Sequence, residues 1–294
     1  MTAPHEPAPA TQLPAPGPGA RPPGTGGRQD TPVPLPHLLG ETPGADDAFR
    51  LFCFPYAGGN AAVYRGLRAT AGPGLAVYAV EPPGRGRRMA ERPYDAMGPL
   101  VAHLADALAP ALDRPYAFFG HSLGGLVAFE LARVLRARGA RQPEHLFVSA
   151  SAAPGSRRVR PVIHSATPDA VKQELRTLGG TPPEVLENDE VMEVVMPMLR
   201  ADYAVLETYR HDPGPPLGMP LTVFGGTTDP VAPADLLEGW RAQSVHGARI
   251  RMMSGGHFYL HDAAAPVMAA VEHTLGLRTG GLGHAAEQST ADRP

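Results

Sequence analysis

Apolar residues recur between residues 47 and 277 in two alternating patterns. Short apolar runs, typical of buried parallel strands, occupy 49–54, 76–81, 115–119, 145–149, 220–225 and 248–253. Segments with the apolar spacing of amphipathic helices lie between them, at 61–70, 95–112, 123–139, 232–242 and 264–276. This alternation predicts an α/β fold, with a mostly parallel central sheet and helices on both of its faces.

One region, residues 163–212, shows helical spacing without a strand pattern. A capped helix with proline in its first turn is predicted from Ala166-Thr-Pro-Asp, and Leu178-Gly-Gly-Thr-Pro-Pro183 predicts a break. Two further helices are predicted at 184–198 and 199–210. We interpret this region as a helical lid inserted between two strands of the sheet.

The two ends of the chain differ from the middle in composition. Residues 1–46 are rich in proline, glycine and alanine, and such a segment buries too little apolar surface to offset its ordering entropy. We therefore expect a disordered leader over 1–46, a dispensable extension rather than a docking arm, and a disordered tail over 278–294. The single domain expected between them spans 47–277.

Composition and charge narrow the classes of partner. The net charge of −3 and a pI of about 6.5 argue against nucleic acid or an anionic membrane as a partner. No apolar stretch is long enough to cross a membrane, and the N-terminus lacks a secretory signal. The one cysteine, Cys53, lies within a predicted strand, where a buried structural role is expected. These features predict a cytoplasmic protein.

The strongest chemical motif is Gly120-His-Ser-Leu-Gly124, which matches G-x-S-x-G. A predicted strand precedes it and a predicted helix follows it, which is the context of a nucleophile elbow. The tight turn exposes the hydroxyl of Ser122, and its glycines avoid clashes there. The motif and its context predict the α/β-hydrolase fold, with Ser122 as the nucleophile.

A serine nucleophile needs an oriented base, and in this fold an acid and then a histidine follow it along the chain. Asp229 follows the predicted strand 220–225, and His257 follows the last predicted strand after a Gly-Gly turn. The rival acid position, after strand 145–149, carries no carboxylate. We therefore expect Asp229 and His257 to complete a catalytic triad.

The other acidic and histidine residues nearby have simpler interpretations. Asp235 and Asp262 are expected at a helix start or on the surface, and His121 is expected to pack near the elbow. His261 lies four residues after His257, but the segment lacks the glutamate of a zinc-peptidase helix. We therefore predict no metal site.

Acyl transfer also needs hydrogen-bond donors for the oxyanion. The backbone N–H of Leu123, at the start of the helix, is one candidate. The second is expected from the glycine-rich loop Phe54-Pro-Tyr-Ala-Gly-Gly-Asn60, where we favour the N–H of Ala57 over that of Tyr56. The alternative is an ordinary glycine-rich turn.

Together these segments resemble the type II thioesterases that accompany polyketide synthases and non-ribosomal peptide synthetases. The resemblance covers about residues 49–277, and its most specific parts lie in the predicted lid. It rests on Cys53-Phe-Pro-Tyr-Ala-Gly-Gly59, Pro83-Gly-Arg-Gly-Arg-Arg88, Pro115-Tyr-Ala-Phe-Phe-Gly-His-Ser-Leu-Gly-Gly125, Leu178-Gly-Gly-Thr-Pro182, Met196-Pro-Met-Leu-Arg-Ala-Asp-Tyr203, Gly225-Gly-Thr-Thr-Asp-Pro230 and Gly255-Gly-His-Phe258. The chain departs from the family at Tyr56, at Leu123-Gly-Gly125 and at Gly86 and Arg87, which bears on acyl preference.

The resemblance implies hydrolysis of acyl groups from the phosphopantetheine arm of acyl or peptidyl carrier proteins, by a monomer without metal or organic cofactor. Four lid residues are candidates to line an acyl channel, or alternatively to pack the lid on the core: Met192, Val195, Met196 and Leu199. Arg85, Arg87 and Arg88 are candidates to dock an acidic carrier, although local ion pairs are the more common role of such arginines. Arg200 and Asp202 are expected to hold the lid together.

Three other functions stay open at this point. A lipase or carboxylesterase acting on small acyl esters has the same triad. A chain-terminating cyclase usually ends a multidomain protein, whereas this sequence starts at Met1 with its own leader. A non-catalytic carrier-binding scaffold has no need of an intact triad.

Overall fold

Six strands form one parallel sheet in the computed structural model, which describes residue 38 and residues 43–44, 46–156 and 161–277. These residues belong to one compact unit, Pro32–Pro294. The strands are β1 (Phe49–Phe54), β2 (Leu75–Ala79), β3 (Tyr116–His121), β4 (His145–Ser149), β5 (Leu221–Gly226) and β6 (Ala248–Met253). Their order is β2-β1-β3-β4-β5-β6, with every neighbouring pair parallel. The expected parallel sheet is confirmed, whereas the disorder predicted for 1–46 and 278–294 falls almost wholly outside the described residues.

Helices cover both faces of the sheet, as predicted. The helices are α1 (Arg65–Ala69), α2 (Met97–Leu108), α3 (Leu123–Ala137), α4 (Pro168–Leu178), α5 (Pro183–Leu186), α6 (Asp189–Thr208), α7 (Ala234–Leu237) and α8 (Ala264–Thr274). The first apolar cluster joins α2 and α3 to one face, and the second joins α1 and α8 to the other. No helix in the described part of the chain is long and apolar enough to span a membrane.

The strand β1 shows why these runs are continuously apolar. All six of its residues are buried. Phe52 and Phe54 pack into the cluster with α2 and α3, whereas Leu51 and Cys53 pack into the cluster with α8. A strand covered on both faces needs apolar side chains at every position. Burial raises the pKa of the Cys53 thiol far above its usual range, which fits a core residue and not a nucleophile.

Two predicted helices are shorter than the apolar spacing indicated. In place of a helix over 61–70, the 3₁₀ turn Ala61–Tyr64 precedes α1, and the Asn60 side chain accepts a hydrogen bond from the N–H of Ala62 at its start. In place of a helix over 232–242, α7 is followed by the 3₁₀ segment Glu238–Gln243. Apolar spacing alone does not separate these two helix types, because both place residues three apart on one side.

The described residues between β4 and β5 form three helices, but the predicted division into 184–198 and 199–210 is wrong. The helix α5 has only four residues, and α6 then runs unbroken for 20 residues through Pro197. Asn188 caps α6 by accepting a hydrogen bond from the N–H of Val191. Pro197 removes one backbone donor, and burial of Met192 and Tyr203 on either side of it keeps the helix continuous.

Candidate active site

Ser122 lies in the turn between β3 and α3, in a conformation that residues other than glycine rarely adopt. Its φ of 54° and ψ of −117° are held by a hydrogen bond of 2.7 Å from its N–H to the carbonyl of Ser149, at the end of β4. Such a strained residue persists only where its surroundings impose it. The sharp turn at the end of the strand presents the Ser122 hydroxyl to the rim of the sheet.

The two glycines of the motif allow backbone segments to approach each other closely. A Cβ at Gly120 would lie 2.0 Å from the carbonyl oxygen of Gly124, and one at Gly124 would lie 2.0 Å from the carbonyl oxygen of Phe54. Neither overlap can be relieved by a side-chain rotation, because both atoms belong to the backbone. The G-x-S-x-G spacing is therefore a steric requirement of this turn.

His257 connects the two other predicted members of the site. It follows β6 after Gly255, whose φ of 120° is open to glycine. The Nε2 atom of His257 lies 3.0 Å from the Oγ of Ser122, and its Nδ1 lies 2.9 Å from the Oδ2 of Asp229. Both contacts lie within hydrogen-bond range. The structure thus brings together three residues from distant parts of the sequence.

Asp229 is buried after β5, and it is held on both of its oxygens. Its Oδ1 accepts hydrogen bonds from the N–H groups of Val231 at 2.7 Å and Ala232 at 3.1 Å. Burial alone would raise its pKa, but the hydrogen bond and charge of His257 and these two N–H groups outweigh it. The pKa of Asp229 therefore lies below its usual range, so the carboxylate is ionised and its Oδ2 faces the imidazole.

The loops that carry the acid and the histidine are bonded to each other through their backbones. The N–H of Thr227 donates to the carbonyl of Met253 at 2.8 Å, and that of Thr228 to the carbonyl of Gly255 at 3.0 Å. A Cβ at Gly226 would lie 2.3 Å from the carbonyl oxygen of Gly256. Gly226 therefore permits the close approach that sets the distance between Asp229 and His257.

The two predicted oxyanion donors lie at the start of α3 and in the loop after β1. Leu123 is the first residue of α3, so its N–H has no carbonyl partner within the helix. Ala57 lies in a turn closed by the hydrogen bond from Gly59 N–H to the Tyr56 carbonyl, and Ala57 and Tyr56 both line the cavity that contains Ser122. Gly58 supplies the positive φ of 79° that this turn requires.

A cavity of about 410 Å³ lies between the rim of the sheet and the helical insertion, with Ser122 and His257 in its wall. Three of the four predicted lid residues, Met192, Val195 and Leu199, line it, whereas Met196 does not and packs within the insertion. The residues of α6 that line the cavity are Met192, Val195, Met198, Leu199, Tyr203 and Leu206.

Two of the three arginines form local ion pairs, which was the more common of the two roles considered for them. Arg85 is buried and binds Asp202 of α6 through both of its terminal nitrogens, at 2.8 and 2.7 Å. Arg88 is buried and binds Glu91. Their guanidinium groups are therefore occupied inside the protein, and only Arg87 of the three is exposed. The paired carboxylate of Asp202 could not be assigned from sequence, because it lies more than a hundred positions away.

The clamp formed by Arg85 and Asp202 also holds the loop 54–60, which carries Ala57 and is called the oxyanion loop after its predicted role. Asp202 accepts a hydrogen bond of 2.8 Å from the N–H of Gly58, and Arg85 donates one of 2.9 Å to the carbonyl of Gly59. The side chain of Leu199 fills the space where a Cβ of Gly58 would lie. The prediction that Asp202 secures the lid thus has a specific partner, the loop that carries Ala57.

Other residues near the site were interpreted only in part from sequence. Asp235 and Asp262 are exposed, as expected. His261 is also exposed, and its Nε2 lies 3.2 Å from the Tyr56 hydroxyl. A Cβ at Gly180 would lie 2.2 Å from the ring of Phe258, so the Leu-Gly-Gly-Thr-Pro segment contacts the residue next to His257. In the sequence, the Gly-Gly pair of this segment marked a break between helices, but it did not indicate that Phe258 would be its contact.

A parallel sheet with a strained serine at the end of β3, hydrogen-bonded to a buried histidine and aspartate, defines a serine hydrolase of the α/β-hydrolase class. The family model described as Thioesterase domain matches residues 49–275. The chain belongs to this thioesterase family, and its activity is the hydrolysis of thioesters.

Two relatives with known structures are thioesterases of biosynthetic pathways. The RedJ thioesterase of the prodiginine pathway in Streptomyces coelicolor is 38% identical, with a TM-score of 0.73 over 81% of this chain and 91% of that one. The type II thioesterase BorB from the borrelidin biosynthetic cluster is 35% identical, with a TM-score of 0.72 over 79% of this chain and 95% of that one. Within its family, this chain is a type II thioesterase.

One curated relative carries a name of a different kind. The linear gramicidin dehydrogenase LgrE of Brevibacillus parabrevis is 39% identical over 241 residues, which are 81% of this chain and 92% of LgrE. The name dehydrogenase was given to that relative and is not transferred to this chain. In this chain the serine, imidazole and carboxylate in series form the arrangement of a hydrolase.

Proposed function

We propose that Ser122, His257 and Asp229 are the nucleophile, the general base and the orienting acid of an editing thioesterase. Its substrates are acyl thioesters on the phosphopantetheine arm of carrier proteins of a polyketide or non-ribosomal peptide synthase. The observation that carries the proposal is the position of Ser122 and His257 in the wall of a cavity to which the insertion contributes mostly apolar residues. An acyl chain fits such a wall, and the carbonyl carbon then lies beside the serine.

The first half of the reaction forms an acyl-enzyme. His257 Nε2 takes the hydroxyl proton as the Oγ of Ser122 attacks the thioester carbonyl carbon, and the carbonyl electrons move to its oxygen. The backbone N–H groups of Leu123 and Ala57 stabilise that oxyanion. When the carbonyl re-forms, the carbon–sulfur bond breaks and the pantetheine sulfur takes the proton from His257. The ionised Asp229 stabilises the imidazolium between these steps.

The second half releases the acid. A water molecule loses a proton to His257 as its oxygen attacks the ester carbonyl of acylated Ser122. Collapse of the second oxyanion breaks the bond to the Ser122 Oγ, which recovers the proton from His257. The products are a free carboxylic acid and a serine ready for the next cycle. Neither half consumes a metal or an organic cofactor.

The surroundings of the site support this assignment. Met192, Val195 and Leu199 of α6 provide apolar and partly flexible contacts for acyl chains of different shape. The lid, in this proposal, is the insertion over 163–212, and the catalytic domain spans 47–277. We also propose that the enzyme acts as a monomer in the cytoplasm, where synthases and their carrier proteins operate.

The proposal is tested by loading carrier proteins with several acyl groups and following their release by intact-protein mass spectrometry. We expect Ser122→Ala to lower the rate by a factor of about 10⁴ or more, because the hydroxyl forms the covalent intermediate. The control is Ser165→Ala, the same change at an exposed serine of the insertion, which should match the wild type.

Four outcomes would contradict the proposal. Equally fast release by the wild type and Ser122→Ala would exclude Ser122 as the nucleophile, and release by the wild type no faster than without protein would identify a non-catalytic scaffold. A higher kcat/KM on p-nitrophenyl esters than on carrier thioesters would identify a carboxylesterase. A cyclic product in place of a free acid would identify a cyclase.

A further inference from the structure

Beside the site, three polar side chains form a buried chain of hydrogen bonds that the reaction steps do not use. The Tyr259 hydroxyl lies 2.5 Å from the Oγ of Ser149, and that Oγ lies 2.9 Å from the Nδ1 of His121. The Nε2 of His121 lies 2.9 Å from the backbone carbonyl oxygen of His257. Tyr259, Ser149 and His121 are each at most 2% exposed. The chain therefore begins and ends in the loop that carries the proposed general base.

The donor and the acceptor of every hydrogen bond in this series are set by the group at its end, the carbonyl oxygen of His257. A carbonyl oxygen only accepts, so the Nε2 of His121 carries a proton and donates it to His257. Burial, and then the nearby His257, lowers the pKa of His121 to about 3, so the ring is neutral and its Nδ1 accepts. Ser149 must then donate to Nδ1, and its oxygen accepts from Tyr259. Burial raises the pKa of Tyr259 far above its usual value, so the phenol keeps its proton.

The chain joins three structural elements that meet at the nucleophile. His121 ends β3 directly before Ser122, and Ser149 ends β4, where its carbonyl accepts the N–H of Ser122. Tyr259 lies two residues after His257. The ring of His121 also contacts the ring of His257, with centroids 5.6 Å apart. The same two strand ends thus hold both the serine and the histidine loop.

We propose that His121 is a positioning residue for His257, and that Ser149 and Tyr259 fix its tautomer. The inference rests on the proposed role of His257 as general base. An imidazole at position 121 is suited to this task, because it accepts from Ser149 on one side and donates to the His257 carbonyl on the other. A displacement of the base by about 1 Å is enough to lower a rate about 100-fold, so a rigid contact to its backbone matters for turnover.

Two substitutions of His121 distinguish a positioning role from a purely structural role, in which the residue only pairs buried polar groups. In His121→Gln the amide nitrogen reaches the place of Nε2 and keeps the donor to His257, while the acceptor for Ser149 is lost. In His121→Asn the amide oxygen reaches the place of Nδ1 and keeps the acceptor, while the donor to His257 is lost. Each variant leaves one buried partner unsatisfied, so a purely structural role predicts similar losses for both.

The assay measures kcat and KM on hexanoyl-N-acetylcysteamine, with urea denaturation of each variant as the check on folding. We expect His121→Asn to lower kcat by about 30-fold at nearly constant KM, and His121→Gln to stay within about fivefold of the wild type. Equal kcat losses in folded variants would overturn the inference. If Ser122→Ala also kept full activity, the proposed function itself would fail, which is a separate result.

Nuclear magnetic resonance gives a second measurement that needs no variant to fold. In the wild-type protein, nitrogen shifts should show His121 as the neutral Nε2-protonated tautomer throughout pH 5–8. A protonated ring, or the Nδ1-protonated tautomer, would reverse the chain and overturn the inference.

Discussion

The rim of the sheet and the helical insertion enclose the same cavity, but they are held in different ways. At the rim, Ser122, Asp229 and His257 are positioned by backbone hydrogen bonds between neighbouring strand ends and by glycines that allow contact between backbones. The insertion has an apolar cluster of its own, separate from the two clusters on the sheet. The proposed catalytic groups are thus fixed by backbone contacts at the sheet, and the cavity wall that faces them is fixed by side-chain contacts.

Polar side chains attach the insertion to itself and to the oxyanion loop. Glu207 of α6 accepts hydrogen bonds from the N–H groups of Ile163 at 2.7 Å and His164 at 3.1 Å. Arg200 donates to the carbonyls of His164 and Ala166, as the expected role in holding the lid implied. Arg85 and Asp202 form the clamp to the loop after β1. Side-chain contacts of this kind tolerate change better than contacts between backbones, which leads to three predictions in order of expected effect.

The largest effect is expected from Gly124→Ala at the rim. The added Cβ would lie 2.0 Å from the Phe54 carbonyl oxygen and 2.8 Å from that of Pro55, so the backbone itself would have to shift. We expect a loss of about 4 kcal/mol or more in the free energy of unfolding, or failure to fold. The measurement is urea denaturation, with Gly98→Ala as the control, because nothing lies within 4 Å of that added Cβ. A stable, active Gly124→Ala variant would refute the steric account of the elbow.

An intermediate effect is expected from Asp202→Asn in the clamp. The change leaves the Arg85 guanidinium buried without a counter-charge, which costs about 3 kcal/mol. Thioesterase activity should fall as well, because Asp202 also binds the N–H of Gly58 in the oxyanion loop.

The matched control for the clamp is Asp95→Asn. Asp95 pairs with Arg92 at 4.0 Å, and both side chains are largely exposed. Loss of this surface pair should change the free energy of unfolding by less than about 0.5 kcal/mol. Equal effects of the two Asp→Asn changes in urea denaturation would show that the clamp does not hold the insertion.

The smallest effect is expected from Gly180→Ala, where the insertion contacts the histidine loop. The added Cβ would meet the outer edge of the Phe258 ring, which is able to shift. We expect a cost of about 1–2 kcal/mol and a severalfold rise in KM, because the ring borders the cavity.

The double variant Gly180→Ala/Phe258→Leu tests that contact directly. A smaller side chain at position 258 should recover part of the lost stability, and the double-mutant cycle measures the coupling. Gly218→Ala is the control, since its added Cβ meets nothing within 4 Å. If the effects of the two substitutions were additive, the contact between residues 180 and 258 would not contribute to the stability of the insertion.

Much of the fold and the three site residues could be predicted from sequence, because each rests on a local pattern. Buried parallel strands are apolar at every position, as in β1, and the nucleophile turn needs its glycines in fixed places. The division of the insertion was harder to predict. The helix α6 continues through Pro197, because residues on both sides of the proline are buried by tertiary packing.

The local pattern was enough for the order of strands and helices and for the elbow at Ser122, because these depend on the chemistry of adjacent residues. The pairing of Arg85 with Asp202, and the chain from Tyr259 through Ser149 to His121, depend on which loops meet at the rim. Buried polar groups take whichever partner the fold brings within about 3 Å. The partner of each buried polar group is therefore decided by the tertiary structure, since distance along the sequence carries no information about which buried groups become neighbours.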